Sequence, residues 1–576
     1  MNSILRIDLS AKRSVKEELP EKYQLLGGRG LSSRIIADEV PPHCDPLGKY
    51  NKLALTCGLL AGTGASSASR VSVGTKSPLT GGIKEASGGG LTAYNLARLG
   101  YRALILQGTA RSKPQIIIVD ENGATFEDAG ELWGLGTFAA MEKLGARFGK
   151  STAYALIGPA GEFRMNLAGI AHTDIDGRPT RYSARGGVGA VMGGMGVKAI
   201  VVRGVIGAHT YAKDEQLWKD GVKRYTKAVM AHPVTGDLMP KFGTSTTMDQ
   251  MHGLGAAAVH NFRRGQLDDL ENTLSGRRMR DVILERGGEG STTHACMPGC
   301  IVRCSNIFPD EQGKEINSPM EYETMGFLGS NICLFDFDSV NRLNHICNDL
   351  GVDTIETGGV LAVAAEEGLT EFGNFEGLEK LLGEIAGGTP LGRLMGLGAA
   401  GFARAYGSAR YVAPKGQTIG AYDPRTIKTN GVTYLTSPMG GDHTAGNGLF
   451  LQIDHPDPKG KVQESYKCQV VSGWVDTLGL CTFLRTAHAA DPSALFDALK
   501  ARYGGEWTQE RLDEMGRETL RTEISFNRRA GISDVSYYGD FLSDEPLPPL
   551  GTVWKIDEEE LENIWAPLFS KEEAGV

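Results

Sequence analysis

Cys296, Cys300 and Cys304 stand at even spacing in His294-Ala-Cys-Met-Pro-Gly-Cys-Ile-Val-Arg-Cys-Ser305, within a chain that has only nine cysteines over 576 residues. Three thiolates folded back by the Pro298-Gly299 turn can surround one compact soft-metal object, either zinc or an iron-sulfur cluster. Zinc sites more often use cysteine pairs in C-x2-C spacing. A C-x3-C-x3-C triplet that needs a remote fourth ligand fits a four-iron cluster better. The plainer alternative is three buried, unligated thiols, against which stand the polar, Gly/Pro-broken surroundings.

The elements that must position such a centre belong to an ordinary globular chain, 41% hydrophobic and 22% charged, too long for one core. A net charge of −9 argues against nucleic acid as the main partner. No apolar run is long enough to span a bilayer, and Met1-Asn-Ser-Ile-Leu-Arg lacks the regions of a secretory signal, so a cytoplasmic location is expected. The odd cysteine count suits a reducing compartment.

The first two hundred residues read as β-rich. Strand-length runs begin at Ile4, Lys52, Arg70, Ala103, Gln115 and Lys198. Between them lie glycine blocks, among them Gly27-Gly-Arg-Gly30, Gly88-Gly89-Gly90 and Gly186-Gly187-Val-Gly189. The 78 glycines, roughly twice the usual share, suggest close backbone approach to a bulky anion. No block is a clean G-x-G-x-x-G or P-loop. Beyond Tyr211 the periodicity turns helical, over 216–230, 338–350 and around Leu495, Leu499, Tyr503, Leu512 and Met515. Breaks near Gly207 and Pro414 divide the chain into 1–208, 209–414 and 415–576. The predicted fold class is α+β, a β-rich N-terminal domain followed by two mostly helical ones.

Several blocks together carry a resemblance. Lys76-Ser-Pro-Leu-Thr-Gly81, Gly88 to Tyr101, Arg185-Gly-Gly-Val-Gly-Ala-Val-Met-Gly193, the cysteine triplet, Glu321-Tyr-Glu-Thr324, Asn348-Asp-Leu-Gly-Val-Asp353 and Asp476-Thr-Leu-Gly-Leu-Cys481 occur in the order of one family. The chain resembles the tungsten-containing aldehyde:ferredoxin oxidoreductases from end to end. The resemblance implies a tungsten bis-pyranopterin on the β-rich domain, with Mg2+ bridging the pterin phosphates. The platform would use Gly88 to Gly90, Arg185, Gly186 and Gly187. Two D-x-x-G-L-[DC] repeats would cradle the pterins. The second is intact as Asp476, Gly479, Leu480 and Cys481. The first reads Asn348, Gly351, Val352 and Asp353, so its leading residue carries no charge. Cys481 would also be the fourth ligand of a 4Fe-4S cluster, and Lys76 the cation between cluster and pterin. Cys44, Cys57, Cys333, Cys347 and Cys468 are assigned to packing.

The implied reaction is oxidation of an aldehyde to a carboxylic acid. It needs a proton acceptor and a group polarising the carbonyl. Glu321 and Glu323 are the candidate bases, Glu321 preferred. His443, on the Met439-Gly-Gly-Asp-His turn, is the candidate donor, with Asp442 placed to set its tautomer. Only one cluster can be built and no flavin or nicotinamide fingerprint is present. Electrons must therefore pass to a ferredoxin, an iron-sulfur subunit or a flavin subunit, and an oligomer or hetero-complex is expected. Two alternatives stand beside this: a tungsten subunit reducing an aromatic acyl-CoA ring, and a non-catalytic iron-sulfur electron-transfer subunit.

Overall fold

The structure, a computed structural model, describes residues 3–110, 113–149, 152–204 and 212–569. The boundary expected at 208 lies outside the described residues.

Two six-stranded sheets form the first two hundred residues. The first contains β1 (Ser3–Asp8), β2 (Arg13–Glu18), β3 (Lys52–Cys57), β4 (Val71–Lys76), β5 (Ile83–Gly88) and β6 (Tyr101–Gln107), ordered β2-β1-β6-β3-β4-β5. The second contains β7 (Gln115–Asp120), β8 (Gly123–Asp128), β9 (Ala153–Leu156), β10 (Ile170–His172), β11 (Arg181–Ser183) and β12 (Val197–Val202), ordered β11-β10-β9-β12-β7-β8. The topology is doubled. Each sheet begins with an antiparallel hairpin, pairs its first strand in parallel with its last, and then runs antiparallel outward. Runs such as Leu104-Ile-Leu106 and Ile116-Ile-Ile118 are buried on both faces and read as continuous apolar stretches, because each sheet packs against protein on both sides.

The rest of the described chain is mostly helical, with a small sheet of β13 (Ser291–His294), β14 (Ser305–Pro309) and β15 (Glu315–Asn317). The helix Glu215–Ala231 packs on Pro492–Tyr503, close enough that a Cβ on Gly221 would lie 2.9 Å from the Ala494 carbonyl oxygen. A second core joins residues between Met248 and Ala403 with Ile419, Tyr422 and Tyr434. Residues on both sides of position 414 therefore share cores. Among the described residues no helix is long and apolar enough to cross a membrane.

Candidate active site

Two helix ends frame the site. Phe337–Leu350 ends at Gly351 (φ 73°) and Lys461–Leu478 ends at Gly479 (φ 76°), both in the left-handed conformation that glycine adopts without steric cost. Val352 N–H donates to the Cys347 carbonyl at 3.0 Å and Leu480 N–H to the Val475 carbonyl at 3.1 Å, the same six-to-one closure in each. The segments then dock on equivalent places of the two sheets. Arg70 N–H donates to the Gly479 carbonyl at 3.2 Å, and Gly169 N–H to the Gly351 carbonyl at 2.9 Å. Cys481 N–H donates to the Ser67 carbonyl at 2.9 Å, and Asp353 N–H to the Leu167 carbonyl at 3.0 Å. The doubled sheet topology thus presents two similar cradles.

Between them lies a cavity of about 370 Å³, lined among others by Gly89, Arg185, Cys296, Cys304, Glu321, Glu323, Asn348, Asp353, His443, Asp476 and Cys481. Cys300 is buried beside Cys296. The Cys296 thiol bonds to Cys300 and holds it down at about 5, and the same contact pushes Cys296 well up. Burial pushes Cys481 up to about 11. Ser67, left-handed at φ 51° and absent from the sequence reading, ties the loop to the fourth cysteine. Its N–H donates to the Gly299 carbonyl at 3.0 Å while its own carbonyl accepts from Cys481. Gly90 N–H holds the Cys296 carbonyl at 2.8 Å.

Of the expected platform glycines, only Gly89 faces the cavity. A Cβ on Gly90 would come within 2.5 Å of the Thr173 carbonyl oxygen, and one on Gly187 within 2.6 Å of that of Asn166. Gly88 and Gly186 likewise abut Ser183 and Lys84, so these four glycines permit protein to pack on protein. Leu480 is buried behind the lining.

Lys76 does not lie where it was expected. It ends β4, and its ammonium bonds to the Pro42 carbonyl beside Cys44 and Asp45. Arg70, at the other end of the same strand, is the cation facing Cys296, Cys481 and Asp476. Strand geometry separates the two by roughly 20 Å.

Charges that the sequence reading missed lie in the cavity wall and behind it. Arg29 makes a bidentate pair with Glu523 at 2.8 and 2.7 Å and lies 3.6 Å from Asp476. Burial pushes Asp476 up to about 6 against the pull of Arg29 and Arg70. Burial, reinforced by Asp476, pushes Glu85 up to about 8. On the other side Arg185 pairs with Asp353 at 3.2 Å, and Asp353 also caps the helix Thr354–Glu366. Asn348 donates to Asn317 Oδ1 at 2.8 Å. Buried atoms left without hydrogen-bond partners include Arg29 Nη1, Glu85 Oε1, Arg181 Nε, Glu323 Oε1 and His443 Nδ1. Such atoms are costly unless something polar meets them.

A smaller cavity of about 210 Å³ shares Thr244, Glu321, Glu323, His443, Thr444, Thr482 and Phe483 with the first and adds Tyr322, Tyr422, Leu449, Phe450 and Arg485. His443 Nε2 lies 3.2 Å from Glu323 Oε1. The other Glu323 oxygen accepts from Ala421 N–H at 2.8 Å. Glu321 instead bonds to the Thr244 hydroxyl and faces Cys304, with burial raising it above the ordinary carboxylate range. Asp442 does not bond His443, contrary to expectation. It accepts from Lys84 at 2.6 Å and from Thr444 N–H at 3.0 Å, and Lys84 and Arg185 keep it ionised against its burial.

The description "Aldehyde ferredoxin oxidoreductase, N-terminal domain" matches residues 4–204, and "Aldehyde ferredoxin oxidoreductase, domains 2 & 3" matches 220–553. The chain is 32% identical over 561 residues to the tungsten-containing aldehyde ferredoxin oxidoreductase of Pyrococcus furiosus, covering 92% of this chain and 89% of the relative. It is 32% identical over 570 residues to that of Thermococcus kodakarensis, covering 94% and 90%. It is 25% identical over 525 residues to a Pyrococcus furiosus protein described as an aliphatic sulfonate oxidoreductase, WOR-like subunit, covering 84% and 79%. The active-site complex BamBC of benzoyl coenzyme A reductase, with 1,5-dienoyl-CoA, shares the fold at TM-score 0.79 and 20% identity, covering 98% of this chain and 94% of that one. The α+β architecture, the two matched regions and the identity over most of the length agree: the chain belongs to the aldehyde ferredoxin oxidoreductase family.

Proposed function

We propose that this protein oxidises aldehydes to carboxylic acids at a tungsten bis-pyranopterin in the larger cavity. Electrons would leave through one 4Fe-4S cluster on Cys296, Cys300, Cys304 and Cys481 to a ferredoxin-like protein or partner subunit. The observation that carries the reading is the convergence of Cys296, Cys304 and Cys481, with Cys300 buried beside Cys296, two matching helix ends and the Glu323–His443 pair on two joined cavities. The residues suit such a cofactor. Glu85 and Asp476 on one side, and Asn348, Asp353 and Arg185 on the other, offer acceptors and a cation to a hydrogen-bonding heterocycle, and the buried Glu85 Oε1 and Arg181 Nε of the lining still lack partners. A Mg2+ accompanying the pterins belongs to the same proposal. When bound, the tungsten pterin supplies a sink for the two electrons of the oxidation, and the cluster relays them singly.

The protein's own task is the proton and the carbonyl. Converting an aldehyde and water to an acid releases two protons with the two electrons. Glu323 is the base, taking a water proton at Oε1, which no group but His443 Nε2 approaches as a partner. His443 is within reach of the same oxygen and can relay that proton or donate to the substrate oxygen. Glu321, bonded to Thr244 and turned to Cys304, sets the charge beside the cluster ligands. Tyr322, Tyr422, Phe450 and Phe483 form an aromatic wall that keeps bulk water from the reacting carbon. In anaerobic viologen-reduction assays, Glu323→Gln and His443→Ala are each expected to lower kcat by about 10²- to 10⁴-fold with tungsten and iron content kept, and Glu321→Gln by less. Full activity in Glu323→Gln would overturn the assignment.

A further inference from the structure

Arg485 lines the smaller cavity but not the larger one. Its Nη2 donates to the Asn447 carbonyl at 2.9 Å. Among the described residues no carboxylate lies within the 4.0 Å of an ion pair with it. Other arginines of the interior are matched: Arg29 by Glu523, Arg185 by Asp353 and Arg425 by Asp423. Arg70 faces Cys481, Cys296 and Asp476. Arg485 has Cys468, Asp476 and Cys481 only at longer range, and its one hydrogen bond goes to a neutral carbonyl. Burial presses against the charge of Arg485. A half-buried guanidinium at a cavity wall, with one neutral acceptor, is relieved by an anion that hydrogen-bonds to it.

The rest of the cavity says what kind of anion. Glu323 and His443 belong to the part shared with the larger cavity, whereas Arg485, Leu449 and Phe450 line only the smaller one. A volume of about 210 Å³ equals roughly seven waters of liquid, enough for a short chain with one polar head. A neutral alkyl aldehyde would leave the guanidinium unmatched. Its carboxylated counterpart would pair with it in the bidentate geometry that arginine favours.

We propose that Arg485 selects aldehydes bearing a second, compact oxyanion, such as the carboxylate of a short oxo acid, and holds that group while the carbonyl faces Glu323 and His443. This rests on the aldehyde oxidation proposed above. The oxidation itself is unchanged: the aldehyde carbon gains the oxygen of water, two electrons go to the acceptor and two protons are released, while the distal carboxylate does not react.

The test compares 4-oxobutanoate with pentanal as substrates of the anaerobic holoenzyme, for the native chain and for Arg485→Met and Arg485→Lys. Calorimetric titration with succinate, the dicarboxylate product, accompanies the kinetics. The native enzyme is expected to prefer 4-oxobutanoate at least about tenfold in kcat/KM. Arg485→Met should raise KM for 4-oxobutanoate by about ten- to a hundredfold, abolish succinate binding and leave pentanal within about twofold, with Arg485→Lys recovering part of the loss. Equal kcat/KM for the two aldehydes in the native enzyme overturns the proposal while leaving aldehyde oxidation standing. So does an Arg485→Met variant that slows both substrates alike or alters the cluster's EPR signal, since Arg485 would then serve the cofactor. If neither aldehyde is oxidised, aldehyde oxidation fails, and succinate binding decides the oxyanion site by itself: no Arg485-dependent binding overturns it.

Discussion

Glu85→Gln should stabilise the cofactor-free protein, and more so as the pH rises. Glu85 sits at 4% exposure beside Asp476, with one carboxylate oxygen unpartnered. Its carboxyl is pushed up to about 8 from an ordinary value of 4.5. A raised carboxyl binds its proton more tightly folded than unfolded, so its contribution is most favourable below the unfolded value and is lost as pH climbs toward the folded one. At pH 7 it is held protonated roughly 2.5 pH units above its unfolded value, a cost of about 3 kcal/mol that a neutral glutamine avoids. Thermal melts of protein from tungsten-free growth should show variant and native chains coinciding near pH 4.5 and diverging up to pH 8. At pH 7 the gap should be roughly 3 °C if the whole chain melts together and about 7 °C if the first two hundred residues melt alone. The same variant should hold less tungsten, because an amide cannot ionise when the N–H groups of the cofactor meet it. A pH-independent gap, or a variant less stable at pH 8, would refute the reasoning.

Cys481→Ser should lower bound iron and tungsten together, since it removes the proposed fourth thiolate two residues from Gly479 and on the wall of the larger cavity; iron assay and the cluster's visible absorption report it, and unchanged iron would remove Cys481 from the ligand set. Gly479→Ala places a Cβ at φ 76° about 2.8 Å from the Gly58 Cα. It should cost about 1–3 kcal/mol and release the pterin, read by melting temperature and tungsten content.

The sequence foretold much of the frame. All six strand-length runs became strands, because β-branched and leucine-rich stretches between turn residues have few alternatives. Strands β2, β5, β8, β9, β10 and β11 escaped, being short or polar, and so did the doubling of the sheet, since it is carried by topology and not by repeated residues. The cysteine triplet and the two helix-end glycines were legible as spacing. The placement of Arg70 rather than Lys76 was not. Both bracket one strand, and only the docking of Gly479 on Arg70 decides which end meets the cavity. The proposal of Glu323 over Glu321 turns on the same kind of fact. Glu321 stands just before the helix Tyr322–Phe327 and bonds Thr244, whereas Glu323 lies in its first turn and meets His443. Ser67, Glu85 and Arg29 had no signal beyond their residue type, because their partners are distant in sequence.

Metal analysis of anaerobically purified protein tests the central claim most directly. One tungsten and four irons per chain, with both falling together in Cys481→Ser, is the predicted result. Iron without tungsten or molybdenum would contradict it and leave the cavity to an electron-transfer role.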